Sequence, residues 1–104
     1  MKDTEICAYL DIEVSVLDVW VEQQWLVPDE EDGTRNFRPA DVARGRLILD
    51  LIGPMGVNED GVDVAMNLVD QIYSLRGRLD ALLNAVRAED PTVQERIRSR
   101  IEFD

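Results

Sequence analysis

The chain has 104 residues, 45% of them hydrophobic, enough for one small domain with a modest core and too few for two full ones. Its formal net charge of −11 repels nucleic acid and anionic lipid and attracts basic protein surfaces, and no apolar run approaches the ~18 residues that span a bilayer. Histidine is absent and Cys7 is the single cysteine, which excludes an internal disulfide, a thiolate-rich zinc site and a Cys/His or Ser/His catalytic pair.

Thr4–Leu10 reads as a short helix presenting Ile6, Cys7 and Leu10, and the segment around Val14–Leu26 as a second, with only Asp11-Ile12-Glu13 between them. On a helical wheel Leu17, Trp20, Val21 and Gln24 share one side and Trp25 follows close by, so both tryptophans are expected in a core rather than as partner hot spots. Two short helices joined by a tight turn make a helix-turn-helix candidate. Pro28 ends the second. DEEDGTRNF then places Asp32-Gly33 between short arms, the signature of a hairpin turn with positive backbone angles. A small wing is expected, with four acids, Asp29, Glu30, Glu31 and Asp32, at or before its tip.

Pro39 suits the first turn of a helix that Val42, Leu47, Ile48, Leu51 and Ile52 continue until Gly53-Pro54 stops it. After GPMGV, Asn58 is a good N-cap, with Glu59, Asp60 and Asp63 where the helix dipole favours anions. From there Ala65, Leu68, Ile72, Leu75, Leu79, Leu82 and Val86 alternate at spacings of three and four, a heptad seam. Spacing alone fits a partner helix within the chain or on a second copy. A helix from Glu59 to Ala88, at ~1.5 Å per residue, outreaches what Thr4–Ile52 can cover, so a homodimer is expected. Beyond Asp90-Pro91, Val93, Ile97 and Ile101 recur every four residues with Arg96, Arg98 and Arg100 between them; Glu95, Glu102 and Asp104 offset the arginines, leaving a solvated amphipathic helix. The expected organisation is a head over residues 1–57 and a dimerisation helix with a short tail over 58–104.

The order helix-turn-helix, wing, helix, long helix resembles MerR-type domains. Gln24-Trp25-Leu26-Val27-Pro28 looks like that family's Gly-Leu-Ile-x-Pro step after the second helix. Gly33-x-Arg35-x-Phe37 followed by Asp41-Val42 resembles its wing motif and the start of its next helix, and Gly56-Val57 fits the break before the following one. The resemblance reaches to about Ala88 and implies an all-α fold with a minor wing, a MerR-like helix-turn-helix head and a long C-terminal helix.

Glu5-Ile6-Cys7 and the run GVDVAMNLVDQI, Gly61 to Ile72, are similar to the CbpM branch of that fold. This resemblance implies a chaperone modulator that binds the J-domain of a DnaJ-like, CbpA-type co-chaperone and restrains both its Hsp70 stimulation and its DNA binding. Residues 1–34 carry ten acids against Lys2 alone, a balance of −9, whereas residues 35–104 carry ten arginines against twelve acids, a balance of −2. A reading head so charged begins with repulsion from phosphate. On the outer side of the second helix, Ser15, Asp18, Val19, Glu22 and Gln23 include only Gln23 as a side chain suited to a base edge. Asp11 and Glu13 stand where the DNA-binding family has Gly and Ser, and Asp29 follows Pro28 where a basic residue is usual. Arg35, Arg38, Arg44 and Arg46 are expected to brace the acidic wing.

DNA binding is therefore not expected, although a dimeric DNA-binding transcription regulator is the alternative from another class. The 22 acids give least support to a carboxylate-only enzyme or an all-oxygen metal site. The expected partner surface is Asp18, Val19 and Glu22, an apolar spot between carboxylates, together with Asp29–Asp32 as a charge that steers a basic partner over ~8 Å of Debye length. Cys7 is expected as a buried small hydrophobe rather than a redox switch. No cofactor or metal is expected. The start MKDTEICAYLD lacks the basic segment and apolar stretch of a signal peptide, so a cytoplasmic location is the expectation.

Overall fold

A computed structural model describes residues 1–101, and in it five helices and one hairpin follow each other in the order α1, α2, β1, β2, α3, α4, α5. Glu102 and Asp104, expected to offset the tail arginines, lie outside the described residues. The architecture is all-α with a minor wing. Among the described residues no helix is long and apolar enough to cross a membrane.

Helix α1 (Asp3–Leu10) ends on Asp11 in the left-handed region at φ +54°, and α2 (Val14–Glu22) is capped by Gln23 and followed by Gln24 in that region at φ +62°. After α2 the Gln24 N–H donates to the Val21 carbonyl at 3.0 Å and the Trp25 N–H to the Trp20 carbonyl at 2.9 Å. This pair of bonds is a Schellman motif, whose left-handed position glycine fills at least cost. The second helix is thus shorter than the expected Val14–Leu26. Trp25 joins the core cluster that holds Trp20 through the chain reversal and not through helical periodicity, the two standing at the positions between which an apolar contact usually accompanies the motif. Both are buried, as expected of core residues. At the end of α1 the Ile12 N–H donates to the Cys7 carbonyl at 3.0 Å, the same kind of closure.

The wing is β1 (Asp29–Glu31) paired antiparallel with β2 (Thr34–Asn36), with Glu30 opposite Arg35. Asp32 and Gly33 have φ of +52° and +75°, the backbone a two-residue primed turn demands. Beyond it, the Phe37 N–H donates to the Met1 carbonyl at 2.7 Å and the Met1 nitrogen donates to the Phe37 carbonyl at 2.8 Å, tying the start of the chain to the wing's exit.

Helix α3 (Pro39–Ile52) begins with Pro39 in its first turn. The Asp41 carboxylate, 1% exposed, accepts from the Arg38 N–H at 2.9 Å, satisfying a donor the helix start leaves unpaired. Of the apolar positions that continue α3, Ile48 and Leu51 are buried and Val42 is half-buried, while Leu47 and Ile52 face outward. The contact with α1 and α2 runs instead through Gly45, where an added Cβ would lie 2.6 Å from Leu10 Cδ1 and 3.6 Å from a Trp20 ring carbon. Helix α4 (Glu59–Arg87) is capped as expected, the Gly61 N–H donating to Asn58 Oδ1 at 2.8 Å.

The head core gathers Ile6, Leu10, Leu17, Trp20, Trp25, Leu26, Phe37, Ile48, Leu51, Val62 and Met66. Each large apolar side chain so buried contributes roughly 1.5–3 kcal/mol. Val62 and Met66 belong to α4, so the head takes in that helix's first two turns as well as residues 1–57. By contact, the chain divides into compact units Met1–Asn67 and Leu68–Asp104. In the second unit α5 (Pro91–Arg100) follows α4 through a short turn in which the Gln94 amide donates to the carbonyls of Arg87, at 3.2 Å, and Glu89, at 2.8 Å. Val93 and Ile97 are half-buried, and Ile97 and Ile101 share with Leu83 and Val86 of α4 a cavity of about 310 Å³.

Candidate functional site

Asp18, Val19 and Glu22 fall on the outer face of α2 because Leu17 and Trp20 turn the opposite face into the core. Val19 is 45% exposed, and Glu22 is exposed one turn further on. Asp18 is more constrained than its sequence position implies. Its carboxylate, 59% exposed, accepts from Arg35 Nη2 at 2.7 Å. Gln23, the one side chain of this face suited to a base edge, has its amide on Glu59 Oε1 at 3.2 Å.

Asp29, Glu30, Glu31 and Asp32 are all exposed on the wing. Among the described residues none of the four joins an ion pair, which corrects the expectation that the neighbouring arginines brace them. Arg35 turns toward the helices instead: its guanidinium grips Asp3 of α1 through Nε at 3.2 Å and Nη2 at 2.8 Å, reaches Asp18 of α2, and lies 5.7 Å from the Phe37 ring centroid. These bonds, Asp3 foremost, push the Arg35 pKa upward against the opposing effect of partial burial. Arg38 donates to the Val27 carbonyl at 2.8 Å and pairs with buried Asp41. Arg44 is buried with Nε on the Trp25 carbonyl at 2.7 Å, and Arg46 stands 5.7 Å over the Tyr9 ring. Glu30 stands directly across the hairpin from Arg35, so reach does not decide the choice; the inward position offers the guanidinium two carboxylates and the Phe37 ring at once in a partly shielded setting, where charge-assisted bonds are stronger than with a fully exposed acid.

Two tryptophans, Val19 and the α3–α4 junction also enclose a cleft of about 340 Å³, lined by Val19, Trp20, Trp25, Ile52, Val57, Asn58 and Glu59. Trp20 and Trp25 are each only 3% exposed, whereas Val19 and Ile52 are 45% and 44% exposed at its edge. The Trp25 indole N–H is satisfied by Asp63 Oδ1 at 3.0 Å. Sequence reasoning assigned Val19 to an isolated surface spot and did not find the cleft. Its lining comes from two segments, 19–25 and 52–59, far apart in the chain, and the available signal was Ile52 at the end of α3, one residue past the last core position, Leu51.

The seam is placed unevenly. Ala65 packs against the head core, Val86 is half-buried, and Leu68, Ile72, Leu75, Leu79 and Leu82 stand about half exposed or more along one stripe of α4. Val64, Tyr73 and Leu83 add further exposed apolar surface to the same helix.

Cys7 is half-buried, and its thiol is pushed above its ordinary pKa first by burial and then by the charge of Asp3. Among the described residues no group of three or more Cys, Asp or Glu side chains is gathered closely enough to hold a metal ion.

The family model described as MerR HTH family regulatory protein matches residues 1–84. No curated protein and no solved structure matches the chain.

Proposed function

The chain belongs to the MerR HTH family of regulatory proteins, and from that premise we propose that it is a non-catalytic modulator that binds protein through the face its relatives turn toward DNA. The finer reading, carried by the resemblance of Glu5-Ile6-Cys7 and Gly61–Ile72 to the CbpM branch, is that the partner is the J-domain of a DnaJ-like, CbpA-type co-chaperone. Occupying that domain's Hsp70-facing surface would inhibit both its co-chaperone activity and its DNA binding.

One observation supports this most directly. The outer face of α2 and the wing present exposed carboxylates, Asp18, Glu22 and Asp29 to Asp32, while the wing arginine between them is turned inward onto Asp3 and Asp18. Phosphate neutralisation supplies most sequence-independent affinity for DNA; this face supplies the opposite sign. A basic domain meets complementary potential there, which steers encounter and suppresses wrong partners. Val19 supplies the apolar contact between the charges.

The proposed assembly is a homodimer. Five seam positions, Leu68, Ile72, Leu75, Leu79 and Leu82, are solvent-facing in the single chain at the spacing a second helix fills by knobs-into-holes packing. Family membership and this seam also fit the alternative, a dimeric regulator that reads DNA.

Binding of purified J-domain proteins to the full chain tests the reading. Glu22→Lys with Glu30→Lys, which leave the Arg35 pairs intact, are expected to weaken capture of the J-domain at least tenfold at low salt. Unchanged affinity would sink the charge argument. A retained band with duplex DNA in a low-salt mobility shift would favour the alternative.

A further inference from the structure

We propose that the cleft under Val19 is an anchor site for one bulky apolar side chain carried on a lysine- or arginine-rich helix. The inference rests on the protein-binding reading above and assigns it a pocket on the head.

The chemistry of the cleft walls selects this occupant. Every lining residue comes from residues 3–34 or residues 47–75, and neither segment contains a lysine or arginine. The charges those segments bring to the surrounding elements are all negative: Asp18 and Glu22 on α2, Asp50 on α3, and Glu59, Asp60 and Asp63 on α4. Two arginines of neighbouring elements are held by the head itself. Arg44 is buried behind Trp25 on that residue's carbonyl, and Arg35 bridges Asp3 and Asp18. An anionic ligand thus meets repulsion at the rim.

The lining is mostly apolar: Trp20, Trp25, Val19, Ile52 and Val57 stand with Asn58 and Glu59, the two tryptophans being the buried ones and Val19 and Ile52 the exposed ones. At about 340 Å³ the cleft stands at the small end of the roughly 300–1,000 Å³ that encloses a drug-sized ligand, a fit for a single anchoring side chain. Large apolar anchors in such pockets dominate interface energy, with charges at the rim adding rate and specificity. A cationic amphipathic helix supplies both parts, in the helix-in-groove mode.

Trp20 and Trp25 are the chain's only tryptophans and both line the cleft, so intrinsic emission reports its occupancy. The full chain is titrated with a synthetic amphipathic helix of leucine and lysine, with the same helix carrying glutamate in place of lysine, and with a purified J-domain. The lysine helix and the J-domain are expected to shift tryptophan emission saturably, and the glutamate helix is not. Ile52→Arg, on a side chain outside α2 and already half exposed, is expected to weaken both positive titrations at least tenfold. Val19→Arg, on α2, is the second variant, with circular dichroism confirming the fold of each. J-domain affinity that stays unchanged in both variants overturns the cleft while leaving the J-domain reading standing. An emission shift with the lysine helix but none with any J-domain overturns the J-domain reading and supports the cleft. No shift with either probe overturns the cleft.

Discussion

Arg35→Ala separates a structural wing arginine from one that serves a ligand. The substitution removes the Asp3 fork, with N···O distances of 3.2 and 2.8 Å to a side chain 38% exposed. Hydrogen bonds to charged groups contribute about 1.5–3 kcal/mol when partly shielded. It also removes the Asp18 pair, which on a 59% exposed carboxylate adds about 0.2–1 kcal/mol. Contact with the Phe37 ring at 5.7 Å adds about 0.5–1 kcal/mol. Some of this gain is offset by the entropy of holding one long side chain in place, leaving an expected loss near 2–4 kcal/mol. For a head of this size each kcal/mol moves the midpoint by about 4–8 °C, so thermal unfolding followed by circular dichroism should fall by more than about 8 °C. A double-mutant cycle with Asp3→Ala should return most of the coupling, and one with Asp18→Ala a smaller, salt-sensitive part. A loss below about 1 kcal/mol, or coupling larger to Asp18 than to Asp3, would refute the assignment of Arg35 as the clasp between wing and helices.

Gln24→Gly should stabilise the head by about 0.5–1 kcal/mol, because a left-handed residue at φ +62° carries a Cβ penalty that glycine lacks; urea denaturation reads the change, and a loss would contradict the turn geometry. Asp41→Ala leaves the N–H groups of Arg38 and Val27, which it accepts at 2.9 and 3.3 Å, without their acceptor, and should cost about 2–4 kcal/mol, with Asp41→Asn costing less in the same titration. Leu75→Lys with Leu79→Lys should convert a sedimenting dimer to the 11.8 kDa monomer without loss of helicity in the head; a wild-type chain that sediments as a monomer at every concentration would remove the seam from the proposal. Cys7, whose thiol is pushed up first by burial, should react with iodoacetamide more slowly in the folded chain than in urea at the same pH. The raised value favours the neutral thiol in the fold, so the associated stability is present below the unfolded pKa and lost as pH climbs through the folded one.

The elements of the head and the heptad spacing of its long helix were legible in the chain because each rests on local rules. Asp32-Gly33 specifies a primed turn, Pro39 a helix start and Asn58 a cap, and Ala65 to Val86 repeat with the period of a packed helix. Where α2 stops was not legible. Trp25 and Leu26 continue the apolar pattern of a helix, and only the chain reversal at Gln24 shows that Trp25 reaches the core another way. Gly45 carried no apolar signal at all, since a close approach is marked by the absence of a side chain and defined by what stands opposite, Leu10 and Trp20.

For the site, sequence by itself determined the sign and location of charge: the acids of the first third and the lack of a basic reading surface follow from composition. Tertiary structure alone decided how each charge is used. It turned Arg35 from the wing acids to Asp3 and Asp18, left Asp29 to Asp32 without an ion pair among the described residues, and brought Val19 together with Ile52 and Val57 beside two buried tryptophans. The physical reason is that a charge acts through its nearest partners and a cleft through its walls, and both are set by residues far apart in the chain.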